Sequence, residues 1–296
     1  MTLIYMTKKL KIVVLAKQVP DTRNVGKDAM KEDGTVNRAA LPAIFNPEDM
    51  NALEQALRIK DNYPGSEITL LTMGPSRAAE IIREGLYRGA DGGVLLTDRK
   101  FAGADTLATS YALSMAIRKM NPDIIIAGRQ AIDGDTAQVG PQVAEKLNYP
   151  QVTYAEEIVG FEDGRLIIKR RLERGVEVVQ TPVPAVITVH ATAPDCRPRN
   201  AKQLMRFKHA RTQTEEQDSE FDSYIPLEGN EALVIAEWGI ADVGGEETNY
   251  GLSGSPTKVK KIENIVFQAK ESKKLTSSQE DIDSLIKELI SSHSIG

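Results

Sequence analysis

The stretch Asp123-Ile-Ile-Ile-Ala127 runs straight into Gly128-Arg-Gln-Ala-Ile-Asp-Gly-Asp-Thr-Ala-Gln-Val-Gly-Pro141. The apolar run has no polar alternation, so it reads as a strand covered on both faces, which belongs in a parallel α/β sheet. The loop after it carries Gly128, Gly134 and Gly140, and a helix follows over Pro141–Leu147. Ligands of open α/β sheets bind outside the carboxyl ends of the strands. A helix start offers free N–H groups and the positive end of a dipole, which suit phosphate. Glycines allow close backbone approach, and Thr136 and Gln138 add side-chain hydrogen-bonding groups. The spacing is neither G-x-G-x-x-G nor a P-loop, so on its own it leaves an ordinary capped strand–loop–helix equally open. Asp133 and Asp135 are explained by capping; a metal site would need a third ligand nearby.

Working outward, Ile12–Ala16, Ile68–Thr72 and Gly93–Leu96 are further continuous apolar strands, and amphipathic stretches separate them. This alternation predicts βαβ units with right-handed crossovers. Asn46 is a favoured N-cap and Pro47 suits the first helical position. Glu48 and Asp49 place negative charge at the helix start, and Met50, Leu53 and Leu57 mark its buried stripe. A second helix starts near Pro75, turns Ala78, Ile81, Ile82 and Leu86 inward, and stops at Gly89. A third starts at Asp105 or Thr106 and runs through Leu107, Ala108, Tyr111 and Met115. After Pro150, Ile158–Glu162, Arg165–Arg171, Val176–Gln180 and Ala185–Val189 read as strands with a turn at Asp163-Gly164. They predict a hairpin or meander added to the same domain. From Arg206 polar residues dominate, with an apolar island at Leu233–Trp238, a Gly/Ser-rich stretch at Gly244–Ser255 and an amphipathic helix over Ile282–Ile290. Such a segment is either flexible or wrapped over a partner.

The 296 residues carry a net charge of -5, with 41% hydrophobic and 5% aromatic residues. The acidic balance disfavours nucleic acid as a partner. Cys196 is the single cysteine, which excludes an internal disulfide and any cluster built from several thiolates of this chain, and fits a reducing, cytoplasmic setting. The apolar runs fall far short of a membrane span. After Ile12–Ala16, Lys17, Gln18 and Pro20 stand where a signal peptide would place small residues; Met6 is an alternative start. His190, His209 and His293 have no evident nucleophile partner. Lys169-Arg-Arg171 with Arg174 reads as a solvated strand face.

Four more segments lie at the carboxyl ends of the candidate strands or in the loops after them: Ala16-Lys-Gln-Val-Pro-Asp21, Asn46-Pro-Glu-Asp49, Met73-Gly-Pro75 and Asp98-Arg-Lys-Phe-Ala-Gly-Ala-Asp-Thr-Leu-Ala-Thr109. In the last, a capped helix start accounts for Asp105 and leaves Phe101 and Thr109 without a role. Convergence of these segments on one sheet edge is what a nucleotide cleft requires.

Taken together, Val14-Leu-Ala-Lys-Gln-Val-Pro20, Asn46-Pro-Glu-Asp49, Thr72-Met-Gly-Pro75, Ala102-Gly-Ala-Asp-Thr-Leu-Ala-Thr109, Gly128–Pro141 and Pro184-Ala-Val-Ile-Thr188 resemble the beta subunits of electron transfer flavoproteins. The likeness spans roughly residues 11–205. It implies an adenine-nucleotide-binding, Rossmann-like α/β domain over residues 1–205 with added antiparallel strands. Residues 206–296 would be an extended arm wrapping an alpha subunit that carries a second flavin on a mobile domain. In ordinary electron carriers of this family the site holds a structural AMP, and in the NADH-linked, electron-bifurcating kind it holds FAD. Gly134 and the Ala-Asp-Thr loop resemble the bifurcating kind, as does Leu252-Ser-Gly-Ser-Pro-Thr257.

Carried over by position, the resemblance implies that Ala16, Asn46, Asp49, Met73, Ala131, Ile132, Asp133, Gly134, Asp135, Thr136, Ala137, Gln138, Val139, Gly140, Pro141 and Gln142 contact the AMP moiety. Gly128, Arg129 and Gln130 belong to the same cofactor loop. Phe101, Ala102, Gly103, Asp105, Thr106 and Thr109 would lie near the rest of FAD. With so few aromatic rings, backbone amides and small residues would do most of the holding. Val189–Met205 occupies the place of the loop that docks acyl-CoA dehydrogenases, although Ala191-Thr-Ala-Pro-Asp-Cys196 departs from the Leu-containing version. NADH is the expected donor, and the alpha-subunit FAD and a ferredoxin or flavodoxin are the expected acceptors. The alternatives are a non-bifurcating carrier subunit with structural AMP and, in another class, a nucleotide-sensing module of the universal-stress type.

Overall fold

A computed structural model of the chain describes residues 9–21, 41–218, 225–258 and 272–295. In chain order the elements are β1 (Lys11–Leu15), β2 (Gln18–Pro20), β3 (Ala43–Phe45), α1 (Pro47–Asn62), β4 (Glu67–Met73), α2 (Ala79–Arg88), β5 (Gly92–Leu96) and α3 (Thr106–Met120). There follow β6 (Ile124–Gly128), α4 (Val139–Leu147), β7 (Gln151–Glu162), β8 (Arg165–Leu172), β9 (Gly175–Pro182), β10 (Ala185–Val189), α5 (Ala201–Phe207) and α6 (Gln213–Gln217). The last elements are β11 (Ala236–Trp238), α7 (Ile240–Val243) and α8 (Gln279–Ser291).

One 9-stranded sheet runs in the order β11-β5-β4-β1-β6-β10-β7-β8-β9. Every pair from β11 to β7 is parallel, and β8 and β9 continue it antiparallel. β1 is central: Ile12 lies opposite Ile68 of β4 and Ile124 of β6. Its alternate side chains serve two cores. Ile12 and Val14 pack with Leu53 and Leu57 of α1 and Ile82 and Leu86 of α2. Val13 and Leu15 pack with Leu113 and Ile117 of α3 and Val143 of α4. A sheet covered on both faces explains why the interior strands carry no polar alternation. From β1 the chain moves outward to β4 and β5, then returns to the other side of β1 as β6, so the switch point falls between β1 and β6.

The structure departs from the sequence reading in several places. Ala185–Val189 does not join the meander: β10 inserts between β6 and β7, parallel to both. Its residues are all buried, which suits an interior strand. The meander is therefore β7, β8 and β9, and β7 begins at Gln151, well before Ile158. α2 begins at Ala79, after a single 3-10 turn that follows Pro75. α4 begins at Val139, ahead of Pro141. Leu107 points outward at 39% exposure, while Ala108, Ala112, Leu113, Ala116 and Ile117 form the buried stripe of α3. Beyond Arg206, β11 pairs with β5, and Tyr250 is buried between the rings of Phe101 and Tyr111, with centroids 5.4 and 5.0 Å away. α8 has no buried residue, and Ile282, Leu285, Ile286 and Ile290 are exposed on it. Among the described residues, no helix is long and apolar enough to cross a membrane.

Candidate functional site

The first turn of α1 builds the site. Asn46 occupies the N-cap position, yet its side chain caps nothing. Instead its Nδ2 donates to the Gln130 carbonyl at 2.9 Å, and its Oδ1 accepts from the Ile132 N–H at 3.2 Å. Glu48 accepts from the Gln130 N–H at 3.1 Å and from Nη2 of Arg129 at 2.9 Å. Asp49 accepts from the Gly128 N–H at 3.0 Å and, through its other oxygen, from the Lys17 N–H at 2.9 Å. All three side chains are buried. They satisfy loop amides and carbonyls that no regular ladder reaches, as buried backbone groups require. The N-terminus of one helix thereby fixes the loops leaving β1 and β6.

These loops border a cavity of about 640 Å³ at the switch point, where open α/β sheets bind ligands. Its floor is Leu15, Ala16 and Lys17 at the end of β1 and just after it, Met73 at the end of β4, and Ala127 to Ala131 at the end of β6 and just after it. Asp49 enters beneath Gly128. Gly134 to Gly140 form one wall, and Ala104, Asp105, Thr106, Thr109 and Leu113 form the other, joined by Thr257 from the C-terminal segment. Thr106 Oγ1 donates to Gln138 Oε1 at 2.9 Å, which ties the two walls. Lys17 Nζ is 2.8 Å from Asp133, which stands outside the lining. Asp135 and Ala137 hold left-handed backbone at φ 50 and 53, a conformation that costs non-glycine residues energy and clusters at ligand sites. The Asp135 carboxylate accepts from Gln130 Nε2 at 2.9 Å.

The two helix starts facing the cavity differ in electrostatics. Asp105 caps α3, taking the N–H groups of Leu107 at 2.9 Å and Ala108 at 3.1 Å. Burial works to raise its pKa, but hydrogen bonds from the Thr257 hydroxyl and from the Ala108, Thr257 and Leu107 amides outweigh it and hold the carboxyl below the usual range. No side chain caps α4; its first two residues, Val139 and Gly140, line the cavity, and the N–H groups of an uncapped helix start suit an anion. At the floor, burial pushes the Asp49 carboxyl up to about 7, against the hydrogen bonds from Asn46, Lys17 and Gly128, and the Glu48 charge adds to the rise. Arg129 is held above its ordinary value, chiefly by its hydrogen bond with Glu48.

Most of the residues expected at the site come together here, and the exceptions have physical causes. Ala16, Asp49, Met73, Asp105, Thr106, Thr109, Gly128 to Ala131 and Gly134 to Gly140 line the cavity. Asn46 stands behind the loop it holds. Phe101 is buried against Tyr250, and Ala102 and Gly103 belong to the turn leading to Asp105, outside the lining. Ile132, Asp133, Pro141 and Gln142 also stand outside the lining. Gln142 hydrogen-bonds Thr106 instead, at 3.4 Å. Sequence reasoning passed over Leu15, Lys17, Ala104, Leu113, Ala127 and Thr257. Lys17, next to Ala16 in a loop already singled out, was within its reach. Thr257 is far along the chain; its signal was the motif Leu252-Ser-Gly-Ser-Pro-Thr257, which says nothing of where in the fold that segment lies.

An electron transfer flavoprotein domain model matches residues 33–218. The chain belongs to the electron transfer flavoprotein family. It is 44% identical to the electron transfer flavoprotein subunit beta of Clostridium acetobutylicum, over 85% of this chain and 87% of that protein. It is 43% identical to subunit CarD of the caffeyl-CoA reductase-Etf complex of Acetobacterium woodii, over 84% and 86% of the two chains. It is 52% identical to the acryloyl-CoA reductase electron transfer subunit gamma of Anaerotignum propionicum, over 60% and 67%. As a family member of the beta-subunit type, the chain has an electron-transfer role, which sets the nucleotide-sensing module aside.

Proposed function

We propose that this chain is the beta subunit of a bifurcating electron transfer flavoprotein and holds FAD in the cavity between β1, β6, α3 and α4. The observation that carries the reading is the cavity itself: about 640 Å³, lined from the start of α4, which suits a phosphate, to Thr109 and Leu113 of α3, room that accommodates a dinucleotide. The donor set fits a flavin dinucleotide: uncapped amides and glycines for the diphosphate, hydroxyls of Thr106, Thr109 and Thr136 for its polyol chain, and apolar Leu15, Met73 and Leu113 for rings. Similarity to subunits of two CoA-ester reductase systems supports the same reading.

When bound, the flavin would supply hydride acceptance from NADH and one-electron delivery, one electron to the alpha-subunit FAD and one to a ferredoxin or flavodoxin. The residues of this chain bind, orient and tune. α4 offers positive potential to the diphosphate. Lys17, which lines the cavity, pairs with Asp133 outside the lining. Asp49 keeps Gly128 and Lys17 at fixed separation through both of its oxygens. No side chain is required as nucleophile or general base. Residues 225–258 would remain with the nucleotide domain, and the segment from 272 onward, with the apolar face of α8 open, would serve the alpha subunit. A dehydrogenase of the acyl-CoA type would dock through Val189–Met205, in a reducing, cytoplasmic setting.

The test is the flavin content of the purified heterodimer. Two FAD per heterodimer, with NADH bleaching one of them, is the expected outcome. One FAD plus one AMP would refute the reading and favour the plain carrier.

A further inference from the structure

The cavity has two chemically unlike ends, and the second is completed from outside the parallel-sheet core. Thr257 reaches the α3 end and meets Asp105 twice: its N–H donates to Oδ2 at 3.1 Å and its Oγ1 at 2.7 Å. Ser255, which is buried, accepts from the Asp105 N–H at 2.8 Å and donates to the Gly251 carbonyl at 2.7 Å. Tyr250 anchors the start of this strap in the core. The strap also sits against the backbone below it: a Cβ on Gly251 would lie 2.0 Å from the Lys100 carbonyl oxygen, so no larger residue fits there without moving the strap.

The charge pattern gives the cavity a polarity. The amides at the α3 start are taken by Asp105, and its carboxyl is ionised, so this end repels phosphate. The amides at the α4 start are uncapped and attract it. The hydroxyl proton of Thr257 is committed to Asp105, which leaves the oxygen lone pairs as acceptors. The α3 end therefore suits a neutral group that donates hydroxyl hydrogens.

Resting on the FAD reading above, we infer that Thr257, clasped by Asp105, is a specificity-determining residue that accepts a hydrogen bond from a ribityl hydroxyl of the flavin, so that the strap favours a flavin dinucleotide over an adenine mononucleotide.

The test is equilibrium binding of FAD, FMN and AMP to the cofactor-stripped heterodimer, with wild type, Thr257→Val and Thr257→Ser compared. Losing one such hydrogen bond weakens binding by about three- to tenfold. Thr257→Val is expected to weaken FAD and FMN by that factor and leave AMP within about twofold, and Thr257→Ser is expected to restore FAD binding. If wild type binds FAD and Thr257→Val binds it equally well, the inference fails while the FAD reading stands. An equal loss for AMP and FAD also overturns it, because the strap would then only support the fold. If wild type binds AMP but neither flavin, the FAD reading fails and takes this inference with it.

Discussion

Replacing Gly128 with alanine probes the joint on which the cavity depends. A Cβ there would stand 2.5 Å from Asp49 Oδ1, 2.7 Å from the Glu48 carbonyl carbon and 2.8 Å from the Asp49 nitrogen. Two of these atoms belong to the backbone of α1, which Ala52, Leu53, Ala56 and Leu57 hold in the core, so they cannot swing aside as a side chain can. Restoring an ordinary 3.4 Å contact to the Glu48 carbon requires the helix start to retreat by roughly 0.7 Å. The bond from the Gly128 N–H to Asp49, now 3.0 Å, would then be broken. Overpacking costs about 1–3 kcal/mol and an unmade hydrogen bond to a buried carboxylate about 1.5–3 kcal/mol, or about 3–6 kcal/mol together. At about 2–3 °C per kcal/mol for a chain of this size, the melting temperature should fall by about 6–18 °C. The same retreat carries Asn46 and Glu48 away from Gln130 and Ile132, so affinity for the proposed FAD should fall. Calorimetry of wild type and Gly128→Ala, each with and without FAD, measures both effects. A melting temperature within about 2 °C of wild type, with FAD stabilising both proteins equally, would show that α1 does not brace the loop as described.

Asp49→Asn puts an amide NH2 where the carboxylate accepts two backbone N–H groups, so it should destabilise by about 1–3 kcal/mol at neutral pH. It should also remove a pH dependence. The folded pKa of Asp49, about 7, lies above the ordinary 3.8, so the folded state holds the extra proton between those values. Wild-type stability should therefore fall as pH rises from about 4 to about 7, by up to about 1.4 kcal/mol per unit, and level off above that. Denaturant midpoints of the two proteins across this range, if they stayed parallel, would sink the assignment. Glu54, buried in α1, accepts from the N–H, Nε and Nη2 of Arg197 at 3.0, 3.0 and 3.1 Å. Glu54→Gln should cost about 1–3 kcal/mol and speed amide exchange at residues 193–200 while FAD affinity holds; unchanged exchange there would contradict it. Tyr250→Ala should cost about 3–5 kcal/mol by emptying the space between Phe101 and Tyr111, and Tyr250→Phe only about 1 kcal/mol through its lost bond to the Gly244 carbonyl. Equal losses in the two variants, read by chemical denaturation, would contradict that division.

The sequence by itself determined the parallel sheet, because an uninterrupted Ile-Ile-Ile or Val-Val-Leu run is stable only with both faces covered. It also determined which loops meet, since in such a sheet the loop after each strand emerges on the same edge. Asp105 was legible as a cap because capping is local and depends on the next few residues. Asn46 shows where local reasoning stops: it stands at the cap position, but tertiary contact diverts its side chain to Gln130 and Ile132. Phe101 is a similar case. Its motif points to the cofactor, while Tyr250, distant in the chain, takes it into the core. The place of β10 was decided only by the tertiary structure, because a short buried run is equally compatible with a hairpin and with a gap between two parallel strands. The same holds for Leu233–Trp238 and the Gly/Ser stretch after it. Their composition promises little burial, and only the free edge of β5 and the ring of Tyr250 hold them to the sheet and bring Thr257 to the cavity. Local preferences extend over a few residues, whereas the cavity is closed by contacts such as that between Asp105 and Thr257, formed only after the sheet has brought distant segments together.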